Sequence, residues 1–486
     1  MIPEITDPFA ESPLDRIIAR LREATRGSAY ENRLHLVGGL LRDRALGLPL
    51  AHDLDLVVEG DAVELAHFLY RKGLSEHFPV TYPRFGTALL SVRASGCDSE
   101  ADAIAVELVS ARAESYAADS RKPEVRQGTL REDVFRRDFT INTLLENLRS
   151  GEILDLTGRA RQDLQAGVVR TPLEPRATFF DDPLRMLRAV RFASRFDFEI
   201  EAGTWDAICA ESERLRPPAI SSERIRDEFT KILKLPGVKI RRGLQLLLDS
   251  GLLEKFLPEM LPMVGCSQGT WHPHDVWGHT LTALTFLPDN DAPLEVRLGL
   301  LWHDVGKPAT RAEDAGKITF YGHAAVGAEI TRQMMNHLKF SNEEIKDVTT
   351  LVAKHMRLGD YRANWTDASV KRLIRDCEPY LDRLFALVRC DMASLNIPAG
   401  EGVDLAALRQ RIDALNAVSN IARIESPLDG NAIMETLGIG PGPALKEAKE
   451  FLVNAVLDGL IAEGDQEKAR ESLRDWFNSK IQVSEG

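Results

Sequence analysis

Asp53 and Asp55, in the run DLDLVV, are the first residues of the chain whose type and spacing suggest chemistry. Aspartates two apart on an extended strand project to the same side. Two like charges that close repel unless a cation lies between them, and Mg²⁺ prefers hard carboxylate oxygens together with substrate phosphates. Glu107, in AIAVELVSAR, can bring a third carboxylate from a neighbouring strand. Upstream, Gly38 and Gly39 separate an apolar run ending at Val37 from a new helix. Paired glycines let a backbone approach a bulky anion while the helix's free N–H groups point at it. Arg42, one turn into that helix, and Arg137, in RRDFTIN, are candidate grips on a polyphosphate. Together these residues predict metal-assisted phosphoryl transfer, with Mg²⁺ on Asp53 and Asp55 and Glu107 as a third catalytic carboxylate. Alone, the aspartate pair reads equally well as a charged strand end, and Arg136-Arg137-Asp138 as a helix-start ion pair of little weight.

A second set lies in FFDDPLRMLRAVRF, residues 179–192, read as one helix headed by Asp181 and Asp182. Arg185, Arg188, Arg191 and Arg195 follow at intervals of three, three and four. At about 100° per residue they fall within an arc of roughly 120°. No acid stands among them, so the expectation is that substrate supplies their counter-ions. The plainer reading makes Asp182 an N-cap with Pro183 at the first helical position, which explains one aspartate and not the arginines. A third set gathers histidines, of which the chain has eleven. HPHDVWGHTLTAL, LWHDVGKP, FYGHAAVG, LVAKHMRL and CDMAS carry His279, His303, Asp304, His323, His355 and Asp391 on predicted helices or at their ends. Imidazole plus carboxylate suits a divalent transition metal such as Mn, Ni, Co or Fe, with open positions for water.

The elements that must position these sets follow from the apolar pattern. Between Leu34 and about Leu156, short apolar or β-branched runs (LHLVGG, LDLVV, TALLSV, AIAVELVS, EILDL) alternate with helical stretches. After Pro175 the strand signals cease, and helices follow one another, punctuated by proline and glycine. The segment between Glu107 and Arg131 reads as a polar loop, and RRDFTIN as the start of a helix. Residues 1–30 form a tail and an amphipathic helix, 31–174 a catalytic head, 175–249 a helical neck, 250–395 a second helical domain and 396–486 a helical tail. No run approaches the ~18 apolar residues of a membrane span, and the acidic N-terminus is no signal peptide. Five cysteines without CxxC pairing fit a reduced, cytoplasmic protein. Net charge is −13, from 61 basic and 74 acidic residues, which by itself weighs against nucleic acid. Residues 222–242 reverse that balance, with seven basic residues against three acids.

In order, GGLLRD with DLD, then RRDFTIN, then DDPLRMLRAVRF resemble the bacterial-type (class II) tRNA nucleotidyltransferases, the CCA-adding and poly(A) polymerase family, over roughly residues 33–240. SPLDGNAIMETLGIGPGP is similar to that family's C-terminal region. The resemblance implies an α+β fold: an N-terminal polymerase-beta-like head with a small mixed β-sheet, followed by an all-helical neck, an HD domain and a tail. It also implies that Asp182 and Arg185 are an amino-acid template that reads the incoming base. Cytosine and adenine both present an amino donor beside a ring-nitrogen acceptor; uracil and guanine present the inverse, which would leave polar groups mispaired. Arg188 and Arg191 would hold phosphates or the growing 3′ end. The family usually has Glu where this chain has Asp181, one methylene shorter. The histidine pattern resembles the HD-domain phosphohydrolases. That likeness puts His279, His303, Asp304 and Asp391 at a primary metal, with His323 and His355 at positions used by binuclear relatives, and implies phosphatase or 2′,3′-cyclic phosphodiesterase activity.

The leading expectation is an enzyme that builds the 3′-CCA of tRNA from CTP and ATP, as monomer or homodimer, with no DNA or membrane partner. Basic neck residues Arg224, Lys231, Lys234 and Arg241 are candidates for a track along the tRNA acceptor stem. A partial CC-adding or A-adding enzyme and a poly(A) polymerase share the same head motifs. The polar segment after Glu107 favours full CCA addition, since the family relates that region to the change from C to A. A signalling-nucleotide synthetase with an HD hydrolase is disfavoured by domain order, and a non-catalytic RNA-binding scaffold by the intact carboxylates.

Overall fold

The computed structural model describes residues 13–50, 53–93, 103–115, 124–216, 219–269, 271–289, 292–398, 401–418 and 421–484. The chain divides into two compact units, Met1–Ile232 with Arg242–Phe256, and Leu233–Arg241 with Leu257–Gly486.

The first unit is built on strands β1 (Leu34–Val37), β2 (Asp53–Val58), β3 (Val80–Tyr82), β4 (Thr87–Arg93), β5 (Ala103–Ser110), β6 (Arg112–Ser115), β7 (Glu124–Gln127), β8 (Leu145–Asn147) and β9 (Ile153–Leu154). Seven of them form one sheet in the order β3-β4-β5-β2-β1-β8-β9, with β2–β5 parallel and the other pairs antiparallel. Alternation decides its two faces. Leu54, Leu56, Ala88, Leu90, Val92, Ile104, Val106 and Leu108 are buried, while Asp53, Leu89, Ala105 and Glu107 stay exposed between them. The buried face is where α3 (Ala62–Arg71) packs, after α1 (Pro13–Thr25) and α2 (Gly39–Ala45). All five apolar runs singled out in the sequence are strands.

Three local expectations are corrected. RRDFTIN does not open a helix: it follows α4 (Leu130–Phe135), which is capped by the Thr129–Glu132 box, and ends in a 3₁₀ turn, Thr140–Asn142. The supposed polar loop after Glu107 contains the rest of β5, the β6–β7 hairpin and α4; residues 116–123 lie outside the described residues. After α5 (Ala160–Ala166), residues 175–196 form two helices, α6 (Pro175–Asp181) and α7 (Leu184–Phe196), because Pro183 has no N–H to continue the first. Asp182, extended at φ −144° and ψ 99°, is the joint. Strands also continue beyond Pro175: β10 (Val168–Val169) pairs with β11 (Glu199–Ile200). Helices α8 (Ala202–Glu211), α9 (Ser222–Leu233), α10 (Gly237–Asp249) and α11 (Leu253–Phe256) follow.

In the second unit, α12 (Val276–Leu284), α13 (Leu294–Trp302), α14 (Lys307–Thr310), α15 (His323–His337), α16 (Asn342–Lys354), α17 (Met356–Gly359), α18 (Asp367–Cys377) and α19 (Leu381–Ala393) surround a core that includes Trp302, Leu300, Leu351 and Leu387. A hairpin, β12 (Ala312–Asp314) with β13 (Lys317–Thr319), interrupts them. Four further helices end the chain, α20 (Leu405–Val418), α21 (Gly430–Leu437), α22 (Pro443–Leu457) and α23 (Gln466–Ser484). No helix among the described residues is long and apolar enough to cross a membrane.

Candidate active sites

The head carboxylates meet on the open face of the sheet. Asp55 is directly opposite Glu107 in the parallel β2–β5 pair, and Asp53 lies on the same side two residues earlier. Burial, then the charges of Glu107 and Asp53, push the Asp55 carboxyl up to about 6, with Arg137 opposing. Mutually repelling carboxylates are a donor set that fits a hard divalent cation. Gly38, at φ +78°, lies against them: a methyl group there would come within 3.2 Å of Asp55 Oδ2. Only a residue without a side chain combines that left-handed backbone with room beside the carboxylate.

Arg137 stands near the carboxylates, held by two N–H donations to Asp133 at 2.9 and 3.2 Å. Arg42 is different. Its guanidinium is buried, donating to Asp43 and Asn142 at 2.7 Å, with its carbon 4.7 Å from the Phe196 ring centre. The expected phosphate grip is thus an internal brace between α2, the 3₁₀ turn and α7.

The arginine face of α7 is also corrected. Its counter-ions come from the protein, on stretches remote in sequence. Arg188 donates through Nε to Asp138 at 2.9 Å, Arg191 to Glu228 at 2.6 Å, and Arg195 to Asp43 at 3.4 Å. Asp138 is buried; burial alone would raise its pKa, but Arg188, Asn142 and the Phe139 N–H bring the carboxyl down to about 2. Asn142 and Glu228 are not singled out by the sequence, and Asp138 is read there only as part of a local Arg136-Arg137-Asp138 ion pair. The RRD triplet and the acid within a basic stretch were the available signals. Arg191 is buried in its pair and Arg188 is committed to Asp138, so neither is offered to phosphate in this arrangement.

Asp182 and Arg185 are placed otherwise. Asp182 Oδ1 accepts from the Leu184 N–H at 3.1 Å, as an N-cap would, and Oδ2 accepts from Arg224 at 2.9 Å. Arg224, expected on an acceptor-stem track, is therefore a direct neighbour of Asp182. Arg185 donates to the carbonyls of Arg136 at 2.8 Å and Thr178 at 3.4 Å. Both side chains stay partly exposed at the α6–α7 joint.

The histidine set closes into two adjoining clusters, {His279, His303, Asp391} and {Asp304, His323, His355}, whose ligand atoms within each lie within 4.8 Å of one another. They are the two such triads of His, Cys, Asp or Glu among the described residues. Asp304 joins the clusters: Oδ2 is 3.1 Å from His303 Nε2, and Oδ1 is 3.5 Å from His323 Nε2. Each imidazole is oriented from behind. Nδ1 of His303, His323 and His355 lies 2.7, 2.8 and 2.7 Å from the carbonyls of Leu300, Phe320 and Val352, and that of His279 lies 2.9 Å from Ser394 Oγ. A carbonyl fixes the proton on Nδ1, which leaves the Nε2 lone pair facing inward. Inward-facing nitrogens lie 3.3 Å apart for His279–His303 and 3.2 Å for His323–His355, an arrangement that calls for positive charge between them. Without an ion, burial would depress His303, yet Asp304 and Asp391 overcome it and push the imidazole up to about 10. Burial instead takes His355 down to about 4. Gly306, between Asp304 and Lys307, is obligatory here because a side chain would strike the His323 carbonyl. A mostly apolar cavity of about 710 Å³ opens onto Asp304, His323, His355 and Asp391.

Residues 34–170 match the family model of the poly A polymerase head domain, 197–263 that of a probable RNA and SrmB-binding site of polymerase A, and 276–386 that of the HD domain. The CC-adding tRNA nucleotidyltransferase of Thermus thermophilus is 34% identical over 74% of this chain and 80% of its own length. The A-adding tRNA nucleotidyltransferase of Deinococcus radiodurans is 33% identical over 71% and 79%. The multifunctional CCA protein of Halorhodospira halophila is 31% identical over 85% and 94%. In fold, the chain is similar to the Bacillus stearothermophilus CCA-adding enzyme crystallised with CTP, with a TM-score of 0.67 at 21% identity over 97% of this chain and 100% of that one. Head domain, RNA-binding segment and relatives agree: the chain belongs to the tRNA nucleotidyltransferase and poly(A) polymerase family of enzymes, and carries an HD domain in its second unit.

Proposed function

We propose that this enzyme adds the 3′-terminal CCA of tRNA from CTP and ATP, choosing each base with Asp182 and Arg185. The observation that carries the reading is a short structural bridge. Arg185 donates to the backbone of Arg136, while the charge of the next residue, Arg137, acts on the Asp55 carboxylate, opposing its raised pKa. Two adjacent residues thus span from base reader to catalytic face, which suits a nucleotide whose base meets one while its phosphates meet the other. Gly38 and Gly39 receive the triphosphate, Arg137 balances its charge, and Asp53, Asp55 and Glu107 face the reacting phosphorus. Asp53 and Asp55 would hold divalent cations, Mg²⁺ by their hard-oxygen donors, which when bound would supply neutralisation of the charge on the reacting oxygens. Asp182 accepts from the base's amino group and Arg185 donates to its ring nitrogen. Arg224 must exchange or share Asp182 Oδ2 for the base to bind.

CC-only or A-only addition is the competing assignment, because relatives of both kinds are similar to this chain, at 34% and 33% identity; poly(A) synthesis is a third. The test offers tRNA lacking CCA, ending in C, or ending in CC, with CTP, ATP or both, and reads product lengths. Growth of all three to CCA and no further supports the proposal. A stop at CC, addition of A alone, or an unbounded A tail overturns it in favour of the corresponding relative.

For the second unit, the inward Nε2 atoms and bridging Asp304 support a binuclear, metal-dependent phosphohydrolase acting on phosphomonoesters or 2′,3′-cyclic phosphodiesters. The imidazole and carboxylate donors suit Mn, Ni, Co or Fe. The parts named in the sequence are retained as the proposed division: head 31–174, neck 175–249, HD domain 250–395 and tail 396–486.

A further inference from the structure

The open face of the head sheet does not end at its carboxylates. One cross-sheet row runs Asp55, Glu107, Leu89, Val80, and a second runs Val57, Val109, Thr87, Tyr82. Beyond Glu107 the first row turns apolar and stays uncovered: Leu89 is 40% exposed, Val80 51% and, two residues on, Tyr82 51%. Exposed apolar side chains standing in line with catalytic acids are not a solubility feature. The turn that follows, Pro83–Phe85, presents Arg84 with its guanidinium carbon 6.0 Å from the centre of a half-exposed Phe85 ring. Behind that turn lies a cavity of about 240 Å³ whose lining includes Arg84, Arg112 and Arg126. One acid, Asp61, also lines it, but its Oδ1 is occupied by the Val63 and Glu64 N–H groups of α3. Arg112 is oriented by donation to the Phe85 carbonyl at 2.7 Å.

Aromatic rings interleaved with arginines are what single-stranded nucleic acid needs, a base-stacking surface beside a phosphate track. The direction of the reaction decides which strand belongs there. Displacement at phosphorus is in line, so the attacking oxygen and the leaving pyrophosphate stand on opposite sides of the transferred phosphate. The glycine turn after β1 takes the pyrophosphate. The sheet order β1-β2-β5-β4-β3 then leaves the β5-β4-β3 side for the attacking 3′-hydroxyl. From Glu107 to Val80 is two strand spacings, about 10 Å, a distance that the last one or two nucleotides of a chain can cover.

We propose that the β3–β4 edge of the head seats the single-stranded 3′ end of the RNA being extended, its terminal bases against Leu89, Val80 and Tyr82 and an upstream phosphate in the arginine-lined cavity. This rests on the nucleotide-adding reading given above. The experiment measures affinity for a fluorescein-labelled RNA hairpin with a three-nucleotide 3′ overhang, against the same hairpin blunt-ended, by anisotropy, and the KM for tRNA and for CTP in parallel. Tyr82→Ala and Arg84→Ala are each expected to weaken overhang binding and raise the KM for tRNA about tenfold, with the KM for CTP unchanged. Tyr82→Phe retains the ring and should behave as the parent. Phe78→Ala removes a side chain that is 67% exposed but packs on the His67 and Tyr70 rings of α3, and should also leave both values unchanged. Affinities of Tyr82→Ala and Arg84→Ala within twofold of the parent, or equal loss for the blunt hairpin, overturn the assignment. A parent enzyme that binds the overhang but adds no nucleotide overturns the parent reading instead, so the two failures are distinguishable.

Discussion

At the scale of single residues, the proposed function assigns selectivity to Asp182 and Arg185, and rate to Asp53 and Asp55. Arg185→Ala should relax discrimination of C and A against U and G by about 100-fold, the order expected when a buried hydrogen-bonding partner is lost. Competition assays with mixed nucleotides read this directly, and parental fidelity in the variant would refute the template role. Asp53→Asn should depress all incorporation by at least about 10³-fold. The raised Asp55 carboxyl makes a further prediction. Its proton competes with cation binding, so Mg²⁺ affinity should be constant above pH 6 and fall by about tenfold per unit below it. Titration calorimetry at pH 5, 6 and 7 tests the sign; affinity that rises on acidification contradicts it.

At the scale of elements, α7 is held by acids drawn from distant stretches. Asp138 has the lower pKa when folded, so its contribution is complete above the unfolded value near 3.8 and is lost as pH falls through about 2. Its size is roughly 2 kcal/mol. Asp138→Asn should therefore destabilise the first unit by about 2 kcal/mol at neutral pH, with Arg188 left only its 3.8 Å pair to Glu228, and the difference should shrink toward pH 2. Urea unfolding at several pH values measures it. Sequence made the strands legible, because β1, β2, β4, β5 and β9 each carry an apolar run, and it made the gathering of histidines and aspartates legible, because their motifs are short and local. It could not reveal who neutralises α7. Asp138, Glu228 and Asp43 lie 50, 37 and 152 residues from their partners, and no periodicity connects them. The break at Asp182 was hidden for a related reason: Pro183 is as acceptable at the first position of one helix as between two. Short edge pieces such as β3 and the β12–β13 hairpin carry too few apolar residues to announce themselves.

At the scale of the whole molecule, two units hold two kinds of candidate cation site, carboxylate oxygen in one and mainly imidazole in the other. His303→Ala should abolish metal-stimulated hydrolysis of a 2′,3′-cyclic nucleotide and leave nucleotide addition within twofold of the parent. Asp53→Asn should do the reverse. Hydrolysis that persists in His303→Ala would show that the HD cluster is not its source. Stripping transition metal by dialysis against a chelator, then restoring Mg²⁺, should lower the thermal midpoint of the second unit while the first keeps its own. Buried lone pairs then face each other unshielded in the helical unit alone.

If Asp182 and Arg185 read the base as proposed, the pinning of α7 bears on how one reader serves two letters. Cytosine is a single ring and adenine a double one, yet a helix fastened at Arg188, Arg191 and Arg195 can neither slide nor roll to suit them. It works as a fixed ruler. The tolerance for a wider purine must then come from the Asp182–Pro183 joint, where the ladder of backbone bonds is interrupted, or from the nucleotide itself shifting in its seat.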